Sequence, residues 1–429
     1  MIKLKALGGA MEVGRSSFLV SADDKILLDS GLKITNEADN VPENTGPLAP
    51  SETNEFIDAV IISHAHLDHS GNVPSLFHKT HSMTYMTPPT LEISAVLWHD
   101  SIKIAKLNGI SPPFTKNEIE EVMNFAFPIN YNRLVHITKN TSLELFNAGH
   151  ILGSAMAKLY FKGKTLLYTG DFKDTETKLH DGCDFNVGDC DFLITETTYG
   201  NSNHSSRQAM EKAFLESIQE TLDNGGTALV PAFAVGRSQE AIEVLHEGKI
   251  DAPIYLDGMG KKIVQTYFNF PEFFVKRKAL KKAMNKVIQI QSQKQRLDAL
   301  KQPSVIVTTA GMLVGGPVAF YLSKMYNDRK SKIHLTGYQV EGTPGRSLLE
   351  TGRLIIQDKT VDVKAAVEKF DFSAHTGQKG ILKLIKSCNP EKVVLVHGDP
   401  KVINETKLVI EKEGIETIAI KKDETIKLY

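Results

Sequence analysis

The stretch Phe56-Ile-Asp-Ala-Val-Ile-Ile-Ser63, followed at once by His64-Ala-His66-Leu-Asp68-His69, decides how the rest of this chain is read. The first eight residues read as a buried strand. The next six set three imidazoles and a carboxylate at its end. A neutral imidazole is the commonest metal ligand, and a carboxylate beside it adds charge and a hard oxygen. Residues 64 and 66 reach one point from an extended turn, while Asp68 and His69 lie further along and face a second. Two metals about 3.5–4 Å apart would satisfy both pairs. A surface histidine cluster without ligands is the plainer alternative, but H-x-H-x-D-H is far more specific than a lone histidine pair.

Working outward, Ser17–Val20 and Lys25–Leu28 read as strands closed by the Asp29-Ser30-Gly31 turn, and residues 35–55 as a polar, proline-bearing surface loop. Leu143–Phe146, Ala157–Phe161, Thr165–Tyr168 and Phe192–Thr195 are further strands. Several of them end near a charged or histidine-bearing turn, where a layered α/β protein keeps its chemistry. Three more ligand candidates stand at such ends, each beside a glycine: His150 in Asn147-Ala-Gly-His150, Asp171 in Tyr168-Thr-Gly-Asp171, and His397 in Leu395-Val-His397-Gly-Asp. Taken singly, each reads first as a turn residue or a hydrogen-bonded histidine.

The texture changes near residue 201. Helical spacing over Ser206–Asp223 and Arg237–His246 alternates with short strands at Thr227–Val230, Ile254–Leu256, Val305–Thr308 and Ile333–Leu335, the pattern of βαβ units and a mostly parallel sheet. From about residue 352 short strands return at Leu354–Gln357, Val393–Val396 and Thr417–Ile420, with a helix at Gln378–Ser387. This pattern predicts a second α/β domain inserted into the first.

Composition narrows the rest. With 429 residues, 41% hydrophobic and 24% charged, the chain is a globular protein of two or three domains. The 50 Lys and Arg against 51 Asp and Glu create no global field toward a polyanion, so such a partner needs a local patch. Three cysteines, none in a C-x-x-C pair, argue against a disulfide scaffold and for a reducing compartment. No apolar run reaches the 18 or so residues of a membrane span, and the N-terminal apolar run is too short for a signal peptide. The expectation is a cytoplasmic protein with no membrane partner.

The chain resembles the metallo-β-lactamase superfamily, and within it the β-CASP nucleases. The likeness runs from Gly8-Gly-Ala-Met-Glu-Val-Gly-Arg15 to the last His-Gly turn. His64, His66, Asp68 and His69 match the superfamily signature, with Asp29, His150 and Asp171 at its other positions. Glu196 in Ile194-Thr-Glu-Thr-Thr-Tyr-Gly200, His375 in Phe372-Ser-Ala-His-Thr-Gly377 and His397 match the β-CASP additions in order. Pro231-Ala-Phe-Ala-Val-Gly-Arg-Ser-Gln-Glu240, Ala310-Gly-Met-Leu313 and Gly342-Thr-Pro-Gly-Arg346 look like the RNA-processing members, the endonuclease subunit of the cleavage and polyadenylation specificity factor and its archaeal relatives. Two departures stand out. The chain begins at the lactamase domain, without the KH module of the longer archaeal form. Its second β-CASP motif reads His-Thr-Gly where the eukaryotic endonuclease has an acidic residue after the Thr, so cleavage mode does not transfer.

The resemblance implies a metallo-β-lactamase αββα sandwich over residues 1–200 and 351–429, with an inserted β-CASP α/β domain over 201–350. It implies two Zn²⁺ per chain: one held by His64, His66 and His150, the other by Asp68, His69 and His397, with Asp171 bridging. Asp29 would orient a ligand histidine. His375 would be the general acid, its ring held by Glu196. The expected reaction is hydrolysis of single-stranded RNA, internally or from a 5′ end, in RNA processing or decay. Phe273–Leu297 carries eight Lys or Arg and no acid, including Lys276, Arg277, Lys278, Lys281 and Lys282. This basic, helical stripe reads equally as a track for a phosphate backbone or a solvated helix face. Arg237 and Arg346 are candidate phosphate clamps. A homodimer, or membership of a processing complex, is an expectation by family analogy. A DNA nuclease and a non-catalytic subunit are the competing readings, the latter disfavoured because all seven ligand positions are filled.

Overall fold

In nearly every strand of the first half, neighbouring side chains are both buried, which requires packing on each face of the sheet. The computed structural model describes residues 1–33, 47–79, 81–107, 109–340 and 342–429, so residues 35–46 of the expected surface loop lie outside the described residues. The chain divides into two units, one of residues 1–176, 181–203 and 374–429, the other of 177–180 and 204–373.

The first unit holds two seven-stranded sheets. One runs, in spatial order, Thr425–Lys427, Lys3–Gly8, Ser17–Ser21, Lys25–Leu28, Ala59–Ile61, Met83–Met86 and Ala126–Pro128. The other runs Glu416–Ala419, Lys392–Val396, Phe192–Glu196, Lys164–Tyr168, Ala155–Phe161, Ser142–Asn147 and Val135–His136. Alternate residues such as Phe18, Val20, Ile26 and Leu28 meet Leu145, Ala157, Leu166 and Ile194 in one core between the sheets. The intervening residues face outward. Leu19, Leu27 and Val60 pack with Trp98, Ile102 and Val122 of the helices Pro88–Leu107 and Lys116–Phe125. On the far side, Leu167, Leu193 and Val393 pack with Ile381, Leu384 and Ile410 of Gln378–Cys388 and Pro400–Lys412. Helix, sheet, sheet and helix form the four layers of an αββα sandwich.

The second unit is built on a six-stranded, wholly parallel sheet in the order Val287–Gln289, Ile254–Asp257, Ser304–Thr308, Thr227–Pro231, Lys332–Leu335 and Ala366–Lys369. The expected boundary near 350 falls short of this unit's end at 373 because Ala366–Lys369 supplies the edge strand beside Lys332–Leu335.

Two local expectations are corrected. The strand expected over 56–63 pairs only over Ala59–Ile61, since side chains draw its flanks off the ladder: Lys25 N donates to Asp58 Oδ2 (2.8 Å) and Ser63 N to Asp29 Oδ1 (2.7 Å). The basic stretch is not one helix. Lys276 adopts a left-handed φ of 56°, a helix spans Arg277–Met284, Val287–Gln289 joins the sheet, and Gln293–Ala299 is a second helix capped by Ser292. The β-branched pair Val287-Ile288 prefers the sheet, which breaks the stripe in two. No helix among the described residues is long and apolar enough to cross a membrane.

Candidate metal centre

The local folding of the histidine motif follows from where its backbone can bond. After Ile61 the chain turns, and His66 starts a one-turn helix, Leu67–Ser70, by accepting from His69 N (2.9 Å) and Ser70 N (2.8 Å). Asp68 and His69 are thus swung away from His64 and His66. Gly31 makes this possible: a Cβ there would lie 1.8 Å from Asp68 O. Asp171 follows a turn in which Gly170, with φ of +51°, presses on Ser63 where a Cβ would fall 2.6 Å from the Ser63 Cβ. Asp29 and His397 also hold positive φ, 58° and 48°, the kind of backbone strain that concentrates at functional sites.

Together these turns bring the residues into two sets that share one carboxylate. His64, His66, His150 and Asp171 each offer a ligand atom within 4.8 Å of the others, and Asp68, His69, Asp171 and His397 do the same. Asp171 faces both ways. Its Oδ2 lies 3.6 Å from His64 Nε2 and 3.8 Å from His150 Nε2, while its Oδ1 lies 3.3 Å from His69 Nε2 and 3.2 Å from His397 Nδ1. Asp68 Oδ2 completes the second set 3.4 Å from His397 Nε2.

Hydrogen bonds behind these side chains fix their tautomers. Asp29, fully buried, takes bonds at 2.7 Å from His69 Nδ1, Ser63 Oγ and Tyr168 OH. Because the Ser63 proton goes to Asp29, Ser63 Oγ accepts from His64 Nδ1 (3.1 Å). His150 Nδ1 donates to Ala374 O (2.9 Å). With Nδ1 occupied from behind, each of the three rings turns Nε2 inward, the atom a ligand histidine offers; His150 Nε2 also meets His66 Nδ1 at 3.1 Å. Buried His64 Nε2 and Asp171 Oδ1 make no hydrogen bond, which in a protein interior calls for an ion or solvent partner. The donor set, its tautomers and these two atoms fit a divalent metal centre.

The electrostatics point the same way. Burial, with the His69 charge next, holds His64 well below the ordinary histidine range, and burial takes His66 down to about 4. Burial also works against a charge on His69, but Asp171 and Asp29 outweigh it and push this group well up. For Asp171 burial favours the neutral acid, yet His397, His69 and His375 outweigh it and keep the carboxyl well below its usual range. His64, His66 and His150 are thus held neutral beside the ionised Asp68 and Asp171, and the positive charge those carboxylates draw onto His69 stands where a cation would.

Beside it, His375 Nδ1 sits 3.0 and 2.9 Å from the two oxygens of Glu196, and its backbone carbonyl takes a bond from Lys173 Nζ (2.9 Å). Glu196 Oε1 is held in turn by Phe172 N (2.8 Å). Burial opposes a charge on His375, but Glu196 and Asp171 outweigh it and raise the imidazole to about 9. Ser63, Tyr168 and Thr198, whose Oγ1 lies 3.2 Å from His397 Nδ1, were not singled out from sequence. Ser63 adjoins the histidine motif, while Tyr168 and Thr198 lie within the strings around Asp171 and Glu196, and that proximity is the signal that could have found them.

The candidate RNA contacts separate by exposure. Lys276, Arg277, Lys278, Lys281 and Lys282 all stand on the surface of the second unit. Arg346 is exposed but bonded to Glu350 (2.5 Å). Arg237 corrects the expectation of a phosphate clamp: it is 5% exposed, its Nη1 bonds Glu240 and Phe372 O (2.7 Å), and Arg207 shares the same Glu240. Its charge is spent inside the protein.

Comparison with known proteins agrees with this geometry. Residues 11–215 match the metallo-beta-lactamase superfamily, 240–348 the Beta-Casp domain, and 360–420 a Zn-dependent metallo-hydrolase RNA specificity domain. Among the relatives, "Probable RNase MJ4" of Methanocaldococcus jannaschii is 40% identical over 91% of this chain and 92% of its own. "RNase aCSPSF2" of Saccharolobus solfataricus is 37% identical over 99% and 85%, and "Transcription termination factor FttA" of Pyrococcus abyssi 34% identical over 100% and 71%. A crystal structure of a protein of unknown function from Enterococcus faecalis V583 shares the fold, with a TM-score of 0.60 at 14% identity over 99% of both chains. The αββα sandwich with its paired ligand sets, the inserted parallel sheet and relatives at this identity together show that the chain belongs to the Beta-Casp branch of the metallo-beta-lactamase superfamily.

Proposed function

We propose that this chain is a ribonuclease that hydrolyses phosphodiester bonds of single-stranded RNA with two zinc ions. The observation that carries the reading is the sharing of Asp171 by two donor sets, with the Glu196–His375 pair against it. His64, His66 and His150 would hold one zinc, Asp68, His69 and His397 the other, and Asp171 both. When bound, such ions polarise a phosphoryl oxygen and bring the pKa of water toward about 7.

The chain's own residues supply orientation and the proton. Asp29 aims His69 directly and His64 through Ser63. His375, raised to about 9, carries its proton at neutral pH and gives it to the leaving oxygen as the P–O bond breaks. Glu196 occupies Nδ1, so the other ring nitrogen is the one presented to RNA. The exposed Lys276, Arg277, Lys278, Lys281 and Lys282 would attract the phosphate backbone. Ribonuclease names among the relatives support RNA as substrate.

The test offers zinc-loaded protein two single-stranded RNAs of one sequence, a closed circle and a linear 5′-monophosphate form, beside a DNA strand of that sequence. His64→Ala protein is the contamination control. Cutting of the circle establishes an endonuclease. Loss of the linear RNA alone, with release of mononucleotides, establishes a 5′ exonuclease. Cutting of DNA alone, or of nothing, overturns the reading.

A further inference from the structure

Cys190 and Cys388 lie 198 positions apart in sequence yet side by side in the first unit. Cys190 N donates to Cys388 O at 2.8 Å, Cys388 Sγ donates to Leu384 O (3.1 Å), and the two thiols are close enough for Cys388 to act on the ionisation of Cys190. The surrounding chain holds this register. Glu391 N and Lys392 N both donate to Asp191 O (3.0 and 3.3 Å), and Phe192 then pairs with Lys392 as parallel strands. Cys388 closes the helix Gln378–Cys388, and Asn389 leaves it in the left-handed region with φ of 43°. Both cysteines are buried, 4% and 0% exposed, in the core between the second sheet and its helices. Adjoining backbones joined by one short hydrogen bond bring two cysteines within the Cα spacing that disulfides use.

We propose that Cys190 and Cys388 are a redox pair that closes to a disulfide in the presence of a small-molecule disulfide. Everything in the second unit except residues 177–180 lies between them in sequence. The bond would therefore staple the first unit across the point where the chain leaves it, after Asn203, and returns to it, at Ala374. It closes one of the longest loops the chain contains, which is where loop-closure entropy is greatest.

The surroundings supply a reason for control. Contact with the Cys388 thiol, then burial, holds the Cys190 thiol protonated, so the pair is quiet in a reducing milieu. Against this, the buried Lys158 ammonium, anchored on Val187 O (2.7 Å), Gly188 O (3.3 Å) and Asp189 O (2.8 Å), favours the Cys190 thiolate. In the exchange the Cys190 thiolate attacks one sulfur of the reagent, breaking its S–S bond and releasing one thiolate. Cys388 then attacks the Cys190 sulfur of the mixed disulfide and releases the second. The two cysteine protons end on the two released thiols, so the cysteines lose two electrons and the reagent gains them.

The full-length protein is equilibrated with oxidised glutathione, natively and during refolding, then alkylated in denaturant and mapped by peptide mass. The expected result is a Cys190–Cys388 crosslink with Cys183 alkylated. Oxidised protein should melt higher than reduced by on the order of 5–10 °C. Cys183→Ser should keep that difference, and Cys190→Ser or Cys388→Ser should abolish it. A crosslink involving Cys183, glutathione retained on Cys190, or free thiols after both treatments overturns the proposal. The wild-type peptide map decides it even if a serine variant fails to fold.

Discussion

Asp171 in the first unit and Glu243 in the second are both carboxylates shut away from water, and the two are in opposite states. Asp171, 2% exposed, sits among histidines that keep it ionised. Glu243, fully buried on the helix Arg237–Glu247, has neither oxygen hydrogen-bonded; burial and the nearby Glu247 raise it to about 7. Three residues earlier on the same helix, Glu240 is ionised because Arg207 and Arg237 offset the cost of its burial. Burial alone therefore marks no site. What distinguishes Asp171 is that histidines from several strand ends converge on it, whereas the buried charges around Glu240 and Glu243 either cancel in place or go neutral.

The sharpest way to break this contrast is Asp171→Asn. It should lower cleavage on the order of 10⁴-fold or more and deplete bound zinc, read by activity and metal analysis. Normal zinc content and cleavage would remove Asp171 from the centre. His375→Ala should slow cleavage by about 10²–10⁴-fold with zinc retained, separating the proton donor from the ligands. Metal loss in that protein would contradict the division. Asp29→Asn leaves every ligand in place and should weaken metal affinity or activity by about 10–100-fold.

In the second unit the expected losses are of stability. Arg237→Met leaves Glu240 with Arg207 as its one charged partner and should cost about 3–5 kcal/mol, measured by denaturant unfolding, with the zinc content of the folded protein unchanged. Glu243→Gln should do the reverse. The carboxyl is raised from 4.5 to about 7 in the fold, so its contribution is most favourable below 4.5 and falls as pH rises to about 7. The variant should melt higher by about 2–4 °C at pH 8, with the gain vanishing near pH 4.5. An equal gain at both pH values would mean that packing, not charge, is responsible.

Much of this was legible in the residues because the motif and its strand are contiguous. His64, His66, Asp68 and His69 needed only a turn to be read as two ligand pairs. His150, Asp171 and His397 were legible as strand-end residues, but only resemblance united them, since nothing local links positions 150 and 397. Arg237 was misread for a physical reason: a basic residue in a glycine-bearing motif looks the same whether it faces solvent or closes a buried ion pair. The basic stretch misled likewise, because lysine spacing carries a helix signal that Val287-Ile288 overrides by joining the sheet.

Asp29 has a consequence of another kind. It accepts from Ser63 and His69 on the side of the first sheet and from Tyr168 at the end of a strand of the second. One carboxylate thus registers the two sheets against each other and aims a ligand. Assembly of the sandwich and affinity for the ion become thermodynamically linked: whatever loosens the seam between the sheets must weaken binding, and saturating ion must raise the unfolding temperature of that unit.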